Sequence, residues 1–307
     1  VDILDNFDDM HPDEILKKLE CLARTTLEKR EYGPYALSAD NLLKMALILL
    51  RARANVPVVC CGEAGCGKTS LIKFLSIVVE VEFRALNLHA GVREQEILDF
   101  MSEAEKIADT RQIWLFFDEI NTCNHIGLLA DLIAHRQIHG QTIHPNIRLF
   151  SACNPYRLRQ KSDTQAGLTT KRYEEQSKLA YQVHPLPDQI IDYVWDYGVL
   201  KPSDEKIYIH IMVNTALEKQ TNLFPELLFA SQQFTREYEG VHSVSLRDIK
   251  RAIILVKFFN KSFKNRPKPN SQSRGDYPPR NGPDPMVLSF ILTLSLCYQV
   301  RIYDQEL

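Results

Sequence analysis

The chain lacks the features that mark secreted, membrane-spanning or metal-stabilised proteins. Its 307 residues include seven cysteines but no Cys-x-x-Cys pair, so we expect neither a disulfide framework nor a structural zinc site. The most apolar late segment, residues 286–300, contains Ser, Thr and Gln and is shorter than the ~20 apolar residues of a membrane helix. The chain opens on Val1 and an acidic run, which indicates a piece of a longer protein without a signal peptide. These absences favour a cytoplasmic location.

The chain also lacks a large excess of positive or negative charge. The 37 basic and 39 acidic side chains give a net charge of −2, and 45% hydrophobic with 25% charged residues is an ordinary globular mix. Near-neutrality gives no reason to expect a nucleic-acid partner, and we interpret the basic run at residues 257–268 as a solvated helix end. The guanine-recognition sequence Asn-Lys-x-Asp is absent, since the nearest segment, residues 260–263, does not match it.

Apolar segments of strand length alternate with helical patterns in the first half of the chain. The third segment, residues 113–117, is apolar throughout, which is typical of a parallel strand covered on both faces. The alternation predicts an α/β fold with a parallel five-stranded sheet between helices, and a short fifth strand is predicted at residues 179–183. The other predicted strands are 57–61, 81–88 and 147–153, and the predicted helices are 40–54, 68–78, 93–108 and 124–139.

The strand pattern stops after residue 187. Helical patterns follow at residues 188–197, 204–219 and 246–260, and residues 286–300 are predicted to be a buried helix. We therefore predict a helical or linker segment at 1–33, a large α/β subdomain at 34–187 and an α-helical lid at 188–307, with a proline-rich loop at 266–285.

Residues 62–69, Gly-Glu-Ala-Gly-Cys-Gly-Lys-Thr, match the phosphate-loop pattern G-x-x-x-x-G-K-[ST]. A buried strand is predicted before the pattern and a helix after it, as a phosphate loop requires. Glycines allow backbone N–H groups to surround phosphates at the helix N-terminus. Lys68 is then predicted to reach the β- and γ-phosphates, and the Thr69 hydroxyl to bind Mg²⁺.

Polar side chains follow the predicted strands. Asp118 and Glu119 end the buried segment 113–117, and we expect Asp118 to hold Mg²⁺ and Glu119 to activate the attacking water as a general base. Asn154 follows the next strand, where it could lie between that water and the γ-phosphate. Asn87 ends the second strand. The predicted nucleotide-binding residues are Gly62, Glu63, Ala64, Gly65, Cys66, Gly67, Lys68, Thr69, Ser70 and Asp118.

In this combination the chain resembles the AAA+ ATPases. The resemblance makes Asn154 the sensor 1 residue, and it makes Arg247, which opens a lid helix, the sensor 2 residue that contacts the γ-phosphate. It also makes Asn87 a candidate for restraining Glu119. The alternative for Arg247 is a solvated arginine behind a capping serine. A narrower resemblance, over roughly residues 34–305, is to an ATPase unit of the mysterin family, giant dynein-like AAA+ chains with a RING-type ubiquitin ligase. It is carried by residues 62–69, 117–122, 152–159, 183–187 and 244–249 and is strongest for the third unit.

The resemblance implies an ATP-hydrolysing motor unit with ATP or ADP and Mg²⁺ as cofactors. Its partners would be neighbouring AAA+ units, which supply an arginine finger, and proteins of the ubiquitin pathway. Ligase chemistry would lie outside this sequence, which has no RING cysteines. The alternative is a structural module that holds ATP without hydrolysing it, although the presence of Glu119 and Asn154 favours turnover.

Two further assignments stay open in the sequence. Cys66, inside the phosphate loop, is either a redox-sensitive thiol activated by the helix N-terminus or a small filler. An arginine finger for the next unit could be any of Arg136, Arg157, Arg159 and Arg172.

Overall fold

The structure, a computed structural model, describes most of the chain. The described residues are 12–23, 39–63, 65–156, 183–198, 200–217, 222–240, 243–265 and 284–301, together with Tyr35 and Leu37. Those up to residue 198, apart from Tyr35, form one structural unit, and Tyr35 with the residues from 200 onward forms a second. Most of the predicted strand at 179–183 and of the proline-rich loop at 266–285 lies outside the described residues.

The first unit alternates strands and helices, as its sequence pattern predicts. Two helices, α1 and α2, precede the first strand, and each later strand follows a helix or a short turn. The elements in chain order are α1 Pro12–Ala23, α2 Ala39–Arg53, β1 Val58–Cys61, α3 Lys68–Val79, β2 Glu82–Asn87, α4 Glu94–Ala108, β3 Ile113–Asp118, α5 Ile126–His135, β4 Gln137–Ile138, β5 Gln141–Thr142, β6 Ile147–Cys153, α6 Asp188–Ile191 and β7 Val194–Asp196.

Five of these strands form one parallel sheet in the order β2-β3-β6-β1-β7. The apolar strand β3 is buried from Ile113 to Phe117, and Trp114 packs on Phe150 of β6 with ring centroids 4.6 Å apart. The predicted parallel sheet between helices is therefore confirmed. Because parallel strands end at the same edge, the carboxyl ends of β1, β3 and β6 lie side by side.

The fifth strand of the described sheet comes from a segment that the sequence predicts to be helical, whereas most of the strand predicted at 179–183 lies outside the described residues. Residues 188–197, predicted as one helix, form the four-residue helix α6 and then β7, which pairs with β1 through Val194 and Asp196. The Val59 amide donates to the Tyr193 carbonyl at 3.1 Å, so the edge of β1 draws this short segment into the sheet. The α/β unit consequently extends past the predicted boundary at residue 187.

The predicted helix at 124–139 is also too long. Helix α5 ends at His135, and Arg136 takes a left-handed conformation with φ of 54° that terminates it. The next residues turn through Gly140, with φ of 79°, into the antiparallel hairpin of β4 and β5. A left-handed residue stops a helix because the following N–H no longer reaches the helical acceptor.

The second unit is helical. Phe224 and Phe290 stack at its centre with ring centroids 4.3 Å apart, against buried Ile209 and Ile249. The segment predicted as a buried helix buries only one face, since Val287, Ile291 and Leu296 are exposed. None of the helices in the described part of the chain is both long and apolar enough to cross a membrane. The helices are α7 Pro202–Ala216, α8 Leu223–Glu239, α9 Leu246–Lys264 and α10 Pro285–Cys297, followed by a 3-10 turn at Gln299–Arg301.

Candidate nucleotide-binding site

The glycines of the phosphate loop are required by its backbone. Gly67 has φ of 96° and ψ of 11° directly before α3, and Gly65 has φ of 81°. Residues with a Cβ rarely adopt these angles. At Gly62 the constraint is space, because a Cβ there would lie 3.1 Å from Cβ of Tyr197, next to β7. The loop thus passes close to the end of the fifth strand, a contact that the sequence pattern does not reveal.

The side chain of Lys68 turns back toward the backbone of the phosphate loop that contains it. This side chain is 7% exposed, and Nζ donates to the Gly62 carbonyl at 2.6 Å and to the Glu63 carbonyl at 3.0 Å. A buried ammonium needs such acceptors. Phosphate oxygens carry full charge and would replace these neutral carbonyls as stronger acceptors. The position therefore fits a triphosphate.

Thr69 and Asp118, the two predicted Mg²⁺ ligands, are in contact. The Thr69 hydroxyl donates to Oδ2 of Asp118 at 2.8 Å, which joins the first turn of α3 to the tip of β3. Oδ1 of the same carboxylate accepts from the Glu119 amide at 3.1 Å. Hydroxyl and carboxylate oxygens are the ligand types that Mg²⁺ prefers, so this pair fits the ion.

Glu119 occupies an unusual backbone conformation. Its φ of 58° and ψ of 41° are left-handed, which is uncommon and costly for a residue with a side chain. The conformation is held by Thr122, whose amide and hydroxyl both donate to the Glu119 carbonyl, at 2.9 and 2.8 Å. Such strain persists only where surrounding contacts fix it, and it lies here at the predicted general base.

Asn87 lies next to this acidic pair. It is the partner of Asp118 in the register of β2 and β3, and it is exposed at the sheet edge. The following amide, of Leu88, donates to the Asp118 carbonyl at 3.0 Å. The structure therefore places the candidate restraining residue beside the strand tip that carries Glu119.

Asn154 is held by a residue that the sequence analysis did not single out. Nδ2 of Asn121 donates to the Asn154 carbonyl at 2.8 Å, and Oδ1 of Asn121 accepts from the Asn154 amide at 3.2 Å. Both residues are buried. The only signal for Asn121 in the sequence is an amide side chain in the turn after the Asp-Glu pair, because the residue it holds is far along the chain.

Arg247 lies in the second unit, at the start of α9, and its side chain is exposed. Its amide donates to Oγ of Ser245 at 3.2 Å, and the Ser245 amide donates to Oδ2 of Asp248 at 2.8 Å. These bonds form a capping box at the helix N-terminus. The capping serine of the alternative interpretation is thus present, and it leaves the Arg247 guanidinium available.

The remaining predicted site residues divide into three groups. Ser70 is exposed in the first turn of α3, and Glu63 and Cys66 are at least partly buried in the loop. The Arg136 guanidinium donates within its own unit to Asn55, His144 and Ile147, which indicates a structural role. Outside the described residues are Ala64, Arg157, Arg159 and Arg172.

The cysteines around the loop differ in acidity. Burial raises the pKa of the Cys66 thiol, which favours the small-filler alternative over a thiol activated by the helix N-terminus. Burial also raises the pKa of Cys60 to about 12. The Cys153 thiol donates to the Cys60 carbonyl at 3.9 Å, and its interaction with the neighbouring Cys61 thiol lowers the pKa of Cys61, with a smaller effect from the charge of Lys68. The same contact and burial raise the pKa of Cys153. The acidic thiol at this site is therefore Cys61.

Across the sheet, the strands stand in the order second, third, fourth, first and fifth when they are counted along the chain. The phosphate loop follows the first of these strands, and the acidic pair stands at the tip of the third. This arrangement is that of the AAA+ class of P-loop nucleotide-binding domains. Residues 35–157 match the family described as the RNF213 AAA domain. The chain belongs to the RNF213, or mysterin, family.

The similarity extends beyond the matched domain. The E3 ubiquitin-protein ligase RNF213 of Mus musculus is 31% identical over 315 residues, which cover 88% of this chain and 6% of that protein. The Homo sapiens protein of the same name is 32% identical over 333 residues, covering 94% of this chain and 6% of that protein. The chain thus spans about 6% of the length of these relatives.

Solved structures with similar backbones include RuvB of Thermotoga maritima. One, the Holliday junction branch migration motor, is 17% identical with a TM-score of 0.42 and covers 71% of this chain and 62% of that one. A RuvB point mutant is 16% identical with a TM-score of 0.45, covering 73% of this chain and 64% of that one.

Proposed function

We propose that this chain binds and hydrolyses ATP as one motor unit of a larger RNF213-type protein. The observation that carries the proposal is the contact between the phosphate loop and the tip of β3, where Thr69 donates to Asp118. The predicted phosphate-binding lysine adjoins one end of this contact and the predicted general base adjoins the other. A structural α/β domain needs neither residue type at these positions.

Residues 62–70 would surround the phosphates with the backbone N–H groups at the start of α3. Lys68 would exchange its bonds to the carbonyls of Gly62 and Glu63 for phosphate oxygens. The Thr69 hydroxyl and the Asp118 carboxylate would hold Mg²⁺, which supplies positive charge against the phosphates when bound.

Glu119 would accept the proton of the attacking water, and Asn154 would orient that water toward the γ-phosphate. The Asn121 amide fixes both peptide groups of Asn154, so it acts as a positioning residue. Asn87 would restrain Glu119 until nucleotide binds. Following the family resemblance, Arg247 would contact the γ-phosphate as sensor 2, and a neighbouring unit would supply the arginine finger.

Relatives named as E3 ubiquitin-protein ligases suggest the setting in which this unit works. We propose that it is one AAA+ unit, most like the third, of a cytoplasmic ligase, with a large α/β subdomain followed by an α-helical lid. Nucleotide state would be transmitted through the lid to neighbouring units. Ubiquitin-pathway proteins would bind elsewhere in the longer protein.

The proposal is tested with two substitutions that separate binding from hydrolysis. Lys68→Ala should weaken ATP binding by about 10- to 100-fold, since a hydrogen bond to a charged group contributes roughly 1.5–3 kcal/mol. Lys73→Ala, which changes an exposed lysine of the same helix, should bind ATP like the unmodified chain. Titration calorimetry with ATP and Mg²⁺ measures both, and equal affinity in the two variants would contradict the assignment of the loop.

Glu119→Gln keeps the shape of the side chain but removes the base. We expect it to bind ATP and to release no phosphate when assembled with its neighbouring unit, whereas the isolated unmodified chain should hydrolyse slowly without that neighbour's arginine. Equal phosphate release by assembled Glu119→Gln and unmodified protein would disprove the base. Tight ATP binding with no release by either protein would favour the alternative of a module that only holds ATP.

A further inference from the structure

Two thiols lie side by side where the sheet meets the phosphate loop. Cys61 ends β1 and Cys153 ends β6, and the two are register partners in these parallel strands. Register partners project from the same face, and adjacent strands lie ~4.8 Å apart. Disulfides join Cα atoms that are ~4.4–6.8 Å apart, so the backbone spacing permits a bond between these residues.

The two thiols differ in the way that disulfide exchange requires. Cys61 is half-buried, whereas Cys153 is 1% exposed. The interaction between the two thiols lowers the pKa of Cys61 and raises the pKa of Cys153, so the outer thiol is the more acidic one and the inner thiol stays protonated beside it. An accessible, acidic thiol next to a resolving thiol is the usual arrangement of redox-sensitive cysteines.

We propose that Cys61 and Cys153 form a reversible disulfide that weakens nucleotide binding when the cell is oxidised, an inference that rests on the proposed ATP site. The proposed switch consists of the two cysteines at the ends of β1 and β6. It assigns to Cys61 the redox role that the sequence analysis left open for Cys66.

The oxidant is a low-molecular-weight disulfide of glutathione type, RSSR. The Cys61 thiolate attacks one sulfur of RSSR, which forms a mixed disulfide on Cys61 and releases one thiolate, RS⁻. The Cys153 sulfur then attacks the Cys61 sulfur, its proton passes to solvent, and a second RS⁻ leaves. The protein pair loses two electrons and RSSR gains them, so the products are one Cys61–Cys153 disulfide and two small thiols.

The bond would act on the site through the residues that follow each cysteine. A disulfide needs Cβ atoms ~3.8 Å apart, which is closer than strands ~4.8 Å apart place them. The bond would therefore draw the two strand ends together. Gly62, whose carbonyl accepts from Lys68 and whose amide donates to the Cys153 carbonyl at 3.3 Å, follows one cysteine, and Asn154 follows the other. Both ends of the site should shift, and the strained bond should be readily reduced.

The experiment treats the reduced 307-residue chain with oxidised glutathione, blocks free thiols and maps the disulfides by peptide mass spectrometry. We expect a linked pair of peptides containing Cys61 and Cys153, at least a tenfold rise in the Kd for ATP, and full recovery with dithiothreitol. Cys153→Ser should stop at the mixed disulfide on Cys61. Cys61→Ser should not respond, whereas Cys123→Ser, which alters another buried cysteine, should respond like the unmodified chain.

The proposal would be overturned by the absence of a link between Cys61 and Cys153, or by a complete link that leaves the Kd for ATP unchanged. A link from Cys61 to Cys66 would move the switch into the loop and also contradict it. Failure of the reduced chain to bind ATP would instead defeat the proposed function, and disulfide mapping would still report whether the thiol pair forms.

Discussion

At the scale of single residues, Asn121 is the support on which the strand tips depend. The side-chain amide of Asn121 forms hydrogen bonds with both the backbone N–H and the backbone carbonyl of Asn154, and these groups are buried. We predict that Asn121→Ala lowers the free energy of unfolding by about 2–4 kcal/mol, because each buried polar group left unpaired costs roughly 1–3 kcal/mol. Asn124→Ala removes an exposed amide from the same turn and should cost less than about 1 kcal/mol. Urea denaturation measures both, and equal losses would contradict a special role for Asn121.

Gly67 gives a second test at this scale, because its φ of 96° is unfavourable for any residue with a Cβ. We predict that Gly67→Ala destabilises the chain by roughly 1–2 kcal/mol and weakens ATP binding. Gly127→Ala, at a helical glycine with open space around its Cβ position, should be neutral or stabilising by up to about 1 kcal/mol. Thermal unfolding and ATP titration of the pair provide the comparison, and a neutral Gly67→Ala would refute the requirement for glycine.

The acidity of Cys61 has its own pH signature. Alkylation requires the thiolate, so its rate at Cys61 rises as pH rises through the pKa, and the lowered pKa places this rise below that of an ordinary thiol. Cys153→Ala removes the neighbouring thiol that lowers the pKa of Cys61 and should move the midpoint to higher pH. Cys153→Ser keeps a hydrogen-bond donor and should leave the midpoint at a lower pH than Cys153→Ala does. Iodoacetamide rates at Cys61 across pH decide this, and identical midpoints in the two variants would show that the donor does not matter.

At the scale of elements, the sequence predicts those parts of the fold whose pattern is local. Strand β3 is apolar throughout, and the phosphate loop has a fixed spacing, so both were predicted at nearly their observed bounds. Strand β7 has only three residues and exists through its pairing with β1, a contact that no local period records. Helix α8 was missed because the buried Gln232 and Thr235 interrupt its apolar stripe.

The candidate site divides in the same way. Motif spacing and strand ends set the positions of some site residues, so the sequence alone predicts that these residues lie close together. They are Lys68, Thr69, Asp118 and Asn154. The Asn121 support, the left-handed Glu119 and the thiol pair depend on neighbours brought near by folding.

Helices α7 and α8 are joined by two ion pairs that should differ greatly in energy. Glu205 is 2% exposed and accepts two bonds from Arg236, at 2.5 and 2.6 Å, which also raise the pKa of the arginine. Lys206 and Glu226 join the same helices at 3.0 Å, but both are exposed. We predict that Arg236→Leu costs about 3–5 kcal/mol, because it leaves a buried carboxylate unpaired, whereas Lys206→Ala costs less than about 1 kcal/mol.

Chemical denaturation of the second unit, followed by hydrogen exchange of amides in α7 and α8, measures the difference between these two pairs. Similar losses for Arg236→Leu and Lys206→Ala would mean that burial of Glu205 contributes little.

At the scale of the whole molecule, the described residues of each unit include a hydrophobic core. One lies around the parallel sheet and contains Ile113 and Phe117, and the other contains Phe224 and Phe290 in the helical unit. Each core buries its own apolar side chains, so each unit has its own source of stability. A ligand that binds only one unit should stabilise that unit alone, whereas a ligand that binds residues of both should stabilise both.

This distinction tests the proposed role of Arg247. ATP at a hundred times its Kd should stabilise the α/β unit by about 2.7 kcal/mol, seen as slower hydrogen exchange in β1, β3 and β6. Because we propose that Arg247 binds the γ-phosphate, amides of α9 should also exchange more slowly with ATP than with ADP. Arg247→Ala should remove this second effect and keep the first, while Lys250→Ala, one turn along the same helix, should keep both. If α9 exchange is the same with ATP, ADP or no nucleotide, Arg247 is only the solvated residue of a capping box, and the lid does not sense the γ-phosphate through it.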